Sequence, residues 1–201
     1  NQEIVSLINQ HGGKAVGISG KDGNLLVAKK RPPQKITVDG QVEAVDLGYV
    51  GDVEKVNPGI IQTLSDEGYI PVISSIGVGP DGESYNINAD VVAGEVAAAL
   101  KADKLIMLTD VEGIFADPKD PSTLISSLEV DEARKLIENG VISSGMIPKV
   151  EACIKAVESG VARTHIIDGR RLHSILLEIF TDKGIGTMVV ASSSQEAKVV
   201  S

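Results

Sequence analysis

The sequence has 201 residues, of which 42% are apolar and 2% aromatic, with 19 basic and 28 acidic side chains and a net charge of -9. That length can bury a core as one domain or two closely joined lobes, and with so few aromatics the core falls to Val, Ile, Leu and Ala, which favours an α/β class. The acidic balance opposes a nucleic-acid partner, no stretch reaches the roughly 20 apolar residues of a membrane span, and the single cysteine, Cys153, excludes an internal disulfide and a cysteine-rich metal site.

The chain opens at Asn1 inside a helical pattern, Ile4, Leu7 and Ile8, without a signal peptide, and reads as a piece of something longer. That helix should stop near Gln10, because His11-Gly12-Gly13 offers glycine where a reversal needs positive φ. Ala15 to Ile18 and Leu25 to Ala28 read as a hairpin around Lys21-Asp22-Gly23-Asn24. A second turn at Asp39-Gly40 separates Ile36 to Val38 from Val42. Together these form a hairpin flap near the amino terminus.

From Asn57 onward helices and strands alternate, the signature of a mostly parallel central sheet flanked by helices. Asn57 caps and Pro58 starts a helix with Ile60, Ile61 and Leu64, ending at Gly68. Ile70 to Ile76 is expected as a buried strand, followed by a loop through Gly77, Gly79 and Gly82. Asp90 to Leu100 forms a helix with Val92, Val96 and Leu100 on one face, leading into a strand at Lys104 to Leu108.

Two prolines keep Thr109 to Ser122 irregular. Asp131 caps a short helix with Leu136 and Ile137. After Gly140 to Gly145 comes a longer helix with Ile147, Val150, Ile154 and Val157 spaced three and four apart, where Cys153 serves core packing. A strand at Thr164 to Ile167, a helix with Leu172, Ile175, Leu176, Ile179 and Phe180, and an edge strand at Thr187 to Val190 complete the alternation. The tail from Ser192 to Ser201 is polar enough to fray.

In open parallel sheets ligands bind beyond the carboxyl ends of the strands. Three loops qualify: Ser74 to Asp90, Thr109 to Pro118, and Asp168 to Arg171. In the first, Tyr85-Asn86-Ile87-Asn88-Ala89-Asp90 leads two carboxamides and a carboxylate into a helix. Such groups can hold a substrate carboxylate, while capping by Asn88 or Asp90 would explain one residue and leave two unassigned. In the second, Thr109-Asp110-Val111-Glu112-Gly113-Ile114-Phe115 places Gly113 where backbone can approach a flat ligand, or where a plain turn needs it.

A further feature is Ser143-Ser144-Gly145-Met146-Ile147-Pro148-Lys149. Lys149 falls in the first turn of a helix, where the macrodipole disfavours a cation unless an anion is near; a solvated lysine is the alternative. The phosphate loop G-x-x-x-x-G-K-[ST] and the metal motif H-E-x-x-H are missing from the sequence, and Gly77-Val78-Gly79-Pro80-Asp81-Gly82, although spaced as G-x-G-x-x-G, does not read as a dinucleotide fingerprint because no helix opens on it. His11, His165 and His173 are too dispersed to argue for a metal site, so none is assigned.

Taken in order, Tyr69 to Gly77, Asn86 to Asp90, Leu108 to Ile114 and Gly145 to Val150 closely resemble the amino-acid kinase family, at the level of its N-acetylglutamate kinases. The likeness extends to His165 to Arg170, Leu177 to Phe180 and Gly184 to Thr187, nearly the whole chain. It implies an α/β/α sandwich in which residues 1–90 are the remainder of a substrate-binding lobe and residues 91–201 a nucleotide-binding lobe. The implied activity is ATP-dependent phosphorylation, with Mg²⁺, of the side-chain carboxylate of N-acetyl-L-glutamate in arginine biosynthesis.

By that resemblance Asn86, with Asn88 beside it, binds the acetylated glutamate. Thr109, Asp110, Val111, Glu112, Gly113, Ile114, Phe115, Val141, Ile142 and Ser143 line the ATP pocket. Lys149 stabilises the transition state, and Asp90 holds the catalytic lysines. Arginine-sensitive relatives place inhibitor contacts at positions matching His165, Glu178 and Gly184, and Glu178 falls off the apolar stripe of its helix, free for a ligand. Those relatives are hexamers built with an amino-terminal helix that this chain lacks, so a homo-oligomer is expected and arginine inhibition is a hypothesis.

The wording is similar to the branch from photosynthetic organisms, whose kinase binds the PII signalling protein. A cytoplasmic location is implied, or the plastid stroma in a plant. The chain also lacks the family's lysine-bearing first strand and its H-G-G-G-P loop, since His11-Gly12-Gly13-Lys14 only stops a helix. Weak or no turnover by these 201 residues alone, with nucleotide binding partly retained, is therefore expected. The rival readings are another kinase of the fold, for aspartate, glutamate or uridylate, and a non-catalytic sensor of arginine or nucleotide.

Overall fold

The computed structural model describes residues 1–38, 41–143, 145–181 and 184–192. The expected turn at Asp39-Gly40, Ser144, and the tail after Ser192 lie outside these. The chain forms two compact units, Asn1–Val92 and Ala93–Ser201. Among the described residues, no helix is long and apolar enough to cross a membrane.

The first unit runs α1 (Gln2–Gln10), β1 (Ala15–Ser19), β2 (Leu26–Lys30), β3 (Gln34–Val38), β4 (Gln41–Val45), β5 (Gly51–Val56), α2 (Gly59–Asp66), β6 (Ile70–Ser74), β7 (Ile76–Val78) and β8 (Ser84–Asn86). The helix stop after Gln10 is as expected, with Gly12 at φ 86°. The first hairpin is not. β1 pairs in parallel with β6, Ala15 opposite Ile70 through Ser19 opposite Ser74, while β2 joins β5 and β7 in another sheet. The turn through Gly23 and Asn24, both at positive φ, redirects the chain without pairing its flanks.

β3 and β4 do form an antiparallel pair, from Gln34 opposite Val45. Asn57 does not cap α2; its side chain donates to the Asn24 carbonyl at 2.7 Å, and Pro58 takes the cap position. The strand expected at Ile70 to Ile76 breaks at Ser75, and its residues are half-buried or exposed, with Ile70 47% accessible. The glycine segment after it is a hairpin: β7 and β8 pair with Ile76 opposite Asn86 and Val78 opposite Ser84, so Gly77 lies in a strand. Leu25, Leu26, Ala28, Ile61, Tyr85 and Ile87 are buried here.

Helix α3 (Ala89–Leu100) leads into the second unit, which continues β9 (Lys104–Thr109), β10 (Ser127–Glu129), α4 (Val130–Glu138), α5 (Ile147–Glu158), β11 (Arg163–Asp168), α6 (Ser174–Phe180) and β12 (Thr187–Val190). The sheet order is β10-β12-β11-β9, with β9 and β11 parallel and β11 and β12 antiparallel. β12 is therefore an interior strand, not an edge, and Val189 is fully buried. Helix α4 is entered at Glu129, whose backbone N–H donates to Glu132 at 3.4 Å; Asp131, the expected cap, sits in the first turn.

The apolar period of α5 buries as expected: Val150, Cys153, Ile154 and Val157 are at most 6% accessible and join Leu105, Met107, Ile166 and Val189 in one core. α6 reverses its expected packing. Leu172 precedes the helix, and Leu172, Ile175, Leu176 and Phe180 are exposed while Ser174 and Glu178 are buried.

Candidate functional site

In the first unit, β8 ends on Asn86, which is exposed between buried Tyr85 and Ile87. Its backbone N–H donates to the Tyr49 carbonyl at 2.8 Å, and a bridge to Val50 fixes it from the side opposite Ile76. The carboxamide is thus held on a clamped backbone. The Asn88 Oδ1 accepts from the N–H groups of Asp90 at 2.9 Å and Val91 at 3.2 Å, so Asn88 caps α3. Asp90 is half-buried in the first turn of that helix.

In the second unit, a cavity of about 180 Å³ is lined by Val111, Gly113, Ile114, Phe115, Pro118, Val141, Ile142, Ser143 and Met146. The loop after β9 and the segment before α5, singled out separately, converge on it. Its walls are apolar apart from backbone and the Ser143 hydroxyl, the character of a slot for a flat ring. Thr109, Asp110 and Glu112 stand outside the lining, the Thr109 hydroxyl donating to Asp110 at 3.2 Å.

Gly113 is required for the loop's course. A Cβ there would lie 2.6 Å from Thr187 Oγ1 and 2.9 Å from Leu124 Cδ1, too close for any side chain. The same Thr187 hydroxyl accepts from the Ile114 N–H at 2.8 Å and donates to the Ile125 carbonyl at 2.7 Å, tying the loop to β12. Lys149 lies half-buried in the first turn of α5, next to the cavity-lining Met146 though not itself in the lining. Cations at that end of a helix face an unfavourable dipole. Pro118 and Met146 were not assigned to the pocket from sequence, although Pro118 closes the candidate loop Thr109 to Pro118 and Met146 lies inside a recognised motif.

A second cavity of about 180 Å³ is lined by Lys104, Ser126, Arg163, His165, Glu178, Ile179, Thr181, Gly184 and Met188. His165, Glu178 and Gly184, the three positions matched to inhibitor contacts, all line it. Glu178 is not free, however. Its Oε1 accepts from His165 Nδ1 at 2.7 Å, and its Oε2 accepts from the N–H groups of Ile185 at 2.6 Å and Gly186 at 3.1 Å. Burial pushes the Glu178 carboxyl upward, but those two N–H donors and the His165 ring outweigh it and hold the pKa below the ordinary value.

With Nδ1 committed to the carboxylate, the buried Nε2 of His165 has no hydrogen-bond partner among the described residues. Gly184, at φ 61°, makes room for this arrangement: a Cβ there would lie 2.7 Å from Glu178 Oε2. Sequence reasoning missed Lys104, Ser126, Arg163, Ile179, Thr181 and Met188. They come from separated strands, loops and helix α6, and apart from Ile179, which was read only as part of the apolar stripe of its helix, no local pattern marks them. Among the described residues no group of three or more His, Cys, Asp and Glu could hold a metal ion.

A model described as the amino acid kinase family matches residues 1–168. An acetylglutamate kinase from Moorella thermoacetica is 65% identical over 190 residues, covering 94% of this chain and 64% of that protein. One from Heliobacterium modesticaldum is 63% identical over 190 residues, with the same coverage. The chain thus spans just under two thirds of the length of these relatives. Among solved structures, an N-acetylglutamate synthase from Neisseria gonorrhoeae, complexed with coenzyme A and L-arginine, superposes with a TM-score of 0.71 at 29% identity, covering 90% of this chain and 38% of that one.

Proposed function

The chain belongs to the amino acid kinase family, and from that premise we propose that it supplies the nucleotide lobe and part of the acceptor lobe of an acetylglutamate kinase. The reaction is transfer of the γ-phosphoryl group of ATP to the side-chain carboxylate of N-acetyl-L-glutamate, in arginine biosynthesis and in the cytoplasm. The observation that carries this reading is the apolar slot where Val111 to Phe115 meets Val141 to Ser143 and Met146. The 65% identity to the Moorella thermoacetica kinase supports the choice of acceptor.

In this reading the base occupies the slot, and the phosphates run toward the start of α5, where the helix N–H groups and Lys149 offer donors and charge. As the phosphoryl group moves between two oxygens, charge spreads over its equatorial oxygens, and Lys149 stabilises that charge. The attacking carboxylate is already ionised, so no general base is needed. By the resemblance, Asp90 organises catalytic cations and Asn86 donates to the acceptor. Mg²⁺ would arrive on the phosphate oxygens, a mode of binding that needs only one or two carboxylates; Asp110 and Glu112 are exposed beside the slot and suit it.

The test is a panel of acceptors with ATP for the protein carrying this sequence: N-acetylglutamate, glutamate, aspartate and uridylate. The proposal expects N-acetylglutamate to dominate kcat/KM, and preference for any of the others would overturn it.

A second reading concerns regulation, and the His165–Glu178 cavity favours it. Arginine would set its cationic end against Glu178 and His165 and its carboxylate toward Lys104 and Arg163. Arginine titration should raise the substrate concentration needed for half-maximal rate, and an unchanged curve would remove this reading. A homo-oligomeric assembly and binding of the PII protein rest on the resemblance alone, and a pull-down lacking that complex would count against the second.

A further inference from the structure

At the carboxyl end of β11 the chain turns through Asp168-Gly169-Arg170-Arg171, which lines neither of the two cavities. The geometry of this turn is tightly specified. The Gly169 N–H donates to the Thr109 carbonyl at 2.8 Å, carrying the β9 and β11 pairing past Asp168 opposite Thr109. The turn therefore lies beside Thr109-Asp110, where the nucleotide loop begins.

Asp168 braces the arginine from three points. Its Oδ1 accepts from the backbone N–H and from Nε of Arg170, and its Oδ2 accepts from Nη2, each at 2.9 Å. The Asp168 side chain is 15% accessible, but that of Arg170 is 68% accessible. A surface arginine ordinarily keeps its rotamer freedom. This one has its fork locked to a shielded carboxylate at the carboxyl ends of β9 and β11, while most of the side chain stays accessible.

The charges nearby give the brace a purpose. The Arg170 guanidinium and the Arg170 backbone N–H hold Asp168 below the ordinary carboxylate range. Arg170 also feels the attraction of Asp110 and Glu112, which belong to the loop whose neighbouring residues line the apolar slot. Without a bound Mg²⁺ to offset their charge, those two carboxylates would repel the phosphates of a nucleotide whose base enters the slot. A fixed cation beside them offsets that repulsion.

We propose that Arg170, braced by Asp168, is a phosphate-binding residue that contacts the phosphate chain of the nucleotide at the carboxyl ends of β9 and β11. The inference rests on the nucleotide reading of the slot and adds a residue to it. It predicts a contribution that depends on the ligand's charge and on a planar guanidinium whose donors beyond those bonded to Asp168 meet the phosphate, since a lysine ammonium cannot bind the brace and the phosphate with the same fixed geometry.

Calorimetric titration of ATP, AMP and adenosine into the full protein separates the possibilities. Arg170→Ala should weaken ATP binding about tenfold, the loss of one charge-assisted contact, while adenosine binding stays within about twofold. Arg170→Lys should recover only part of the ATP affinity, and Asp168→Asn should weaken ATP less than Arg170→Ala does. ATP affinity unchanged in Arg170→Ala would overturn the proposal, as would equal losses for ATP and adenosine, which would mark a structural role. Failure of the unsubstituted protein to bind ATP would sink the slot reading and this inference with it; binding of ATP by both proteins alike would sink this inference alone.

Discussion

Helices α5 and α6 both pack against β11, both carry apolar residues at helical spacing, and they use them in opposite ways. α5 buries Val150, Cys153, Ile154 and Val157, whereas α6 exposes Ile175, Leu176 and Phe180 and turns Ser174 and Glu178 inward. The difference teaches that an apolar stripe reports the buried face only when the inward side has nothing else to satisfy. Behind α6 lie the His165 ring and the N–H groups of Ile185 and Gly186, and a carboxylate meets all three. An apolar side chain in that position would leave these donors buried and unmet, at a cost of about 1–3 kcal/mol each. α5 covers a strand face that is apolar apart from the Thr164 hydroxyl, with Leu105, Met107, Ile166 and Val189 around it, so its stripe goes inward.

Substitutions on the two helices sharpen this contrast. The largest expected effect is on α5: Ile154→Ala, at a residue 3% accessible, should lower the unfolding free energy by about 2–5 kcal/mol in urea denaturation. A loss below about 1 kcal/mol would mean that the helix is not the core element described. Next, Glu178→Gln on α6 should cost about 1.5–3 kcal/mol, because it weakens charge-assisted bonds from buried donors. If it is neutral in the same assay, the inward carboxylate is incidental.

A smaller effect is expected with pH. The Glu178 carboxyl titrates below its ordinary value of 4.5 in the folded chain, so the folded state binds the proton more weakly than the unfolded state. The stabilisation is complete above the unfolded value and is lost as the pH falls through the folded one. Urea midpoints measured from pH 6 downward should fall more steeply for the natural chain than for Glu178→Gln, and parallel curves would contradict the assignment. The smallest effect belongs to the outward face of α6. Leu176→Ser, at a residue 53% accessible, should change stability by no more than about 0.5 kcal/mol, and a larger loss would show that the face is covered.

Much of the fold was legible in the sequence wherever the determinants are local. The stop after Gln10, the helices at Asp90 to Leu100 and Ile147 to Glu158, and the strands at Lys104 and Thr164 all follow from glycine placement and apolar period. Strand partnership was not legible, because turn chemistry at Lys21 to Asn24 shows that the chain bends and not what it pairs with. The partner of Ala15 is Ile70, a separation no local rule spans. Charged Asp52, Glu54 and Lys55 masked β5, which went unassigned although it pairs along the whole of β2.

The site divides in the same way. Val111, Gly113, Ile114, Phe115, Val141, Ile142 and Ser143 were selected by resemblance, and the fold gathers them on one slot. The loop Asp168 to Arg171 was marked as a ligand loop but Asp168 and Arg170 were given no role, and the cations Lys104 and Arg163 drew no assignment, since their meaning lies in what adjoining strand ends place beside them. Glu178 was taken as free because it fell off the stripe, a judgement that assumed the stripe points inward.

The central claim is that the start of α5 serves phosphoryl transfer next to a nucleotide slot, and Lys149→Ala in the complete protein tests it most directly. The account predicts that kcat with N-acetylglutamate falls about 10²–10³-fold, as for loss of one transition-state donor, while KM for ATP changes by less than about threefold. Unchanged turnover, or equal losses in kcat and in ATP affinity, would contradict it.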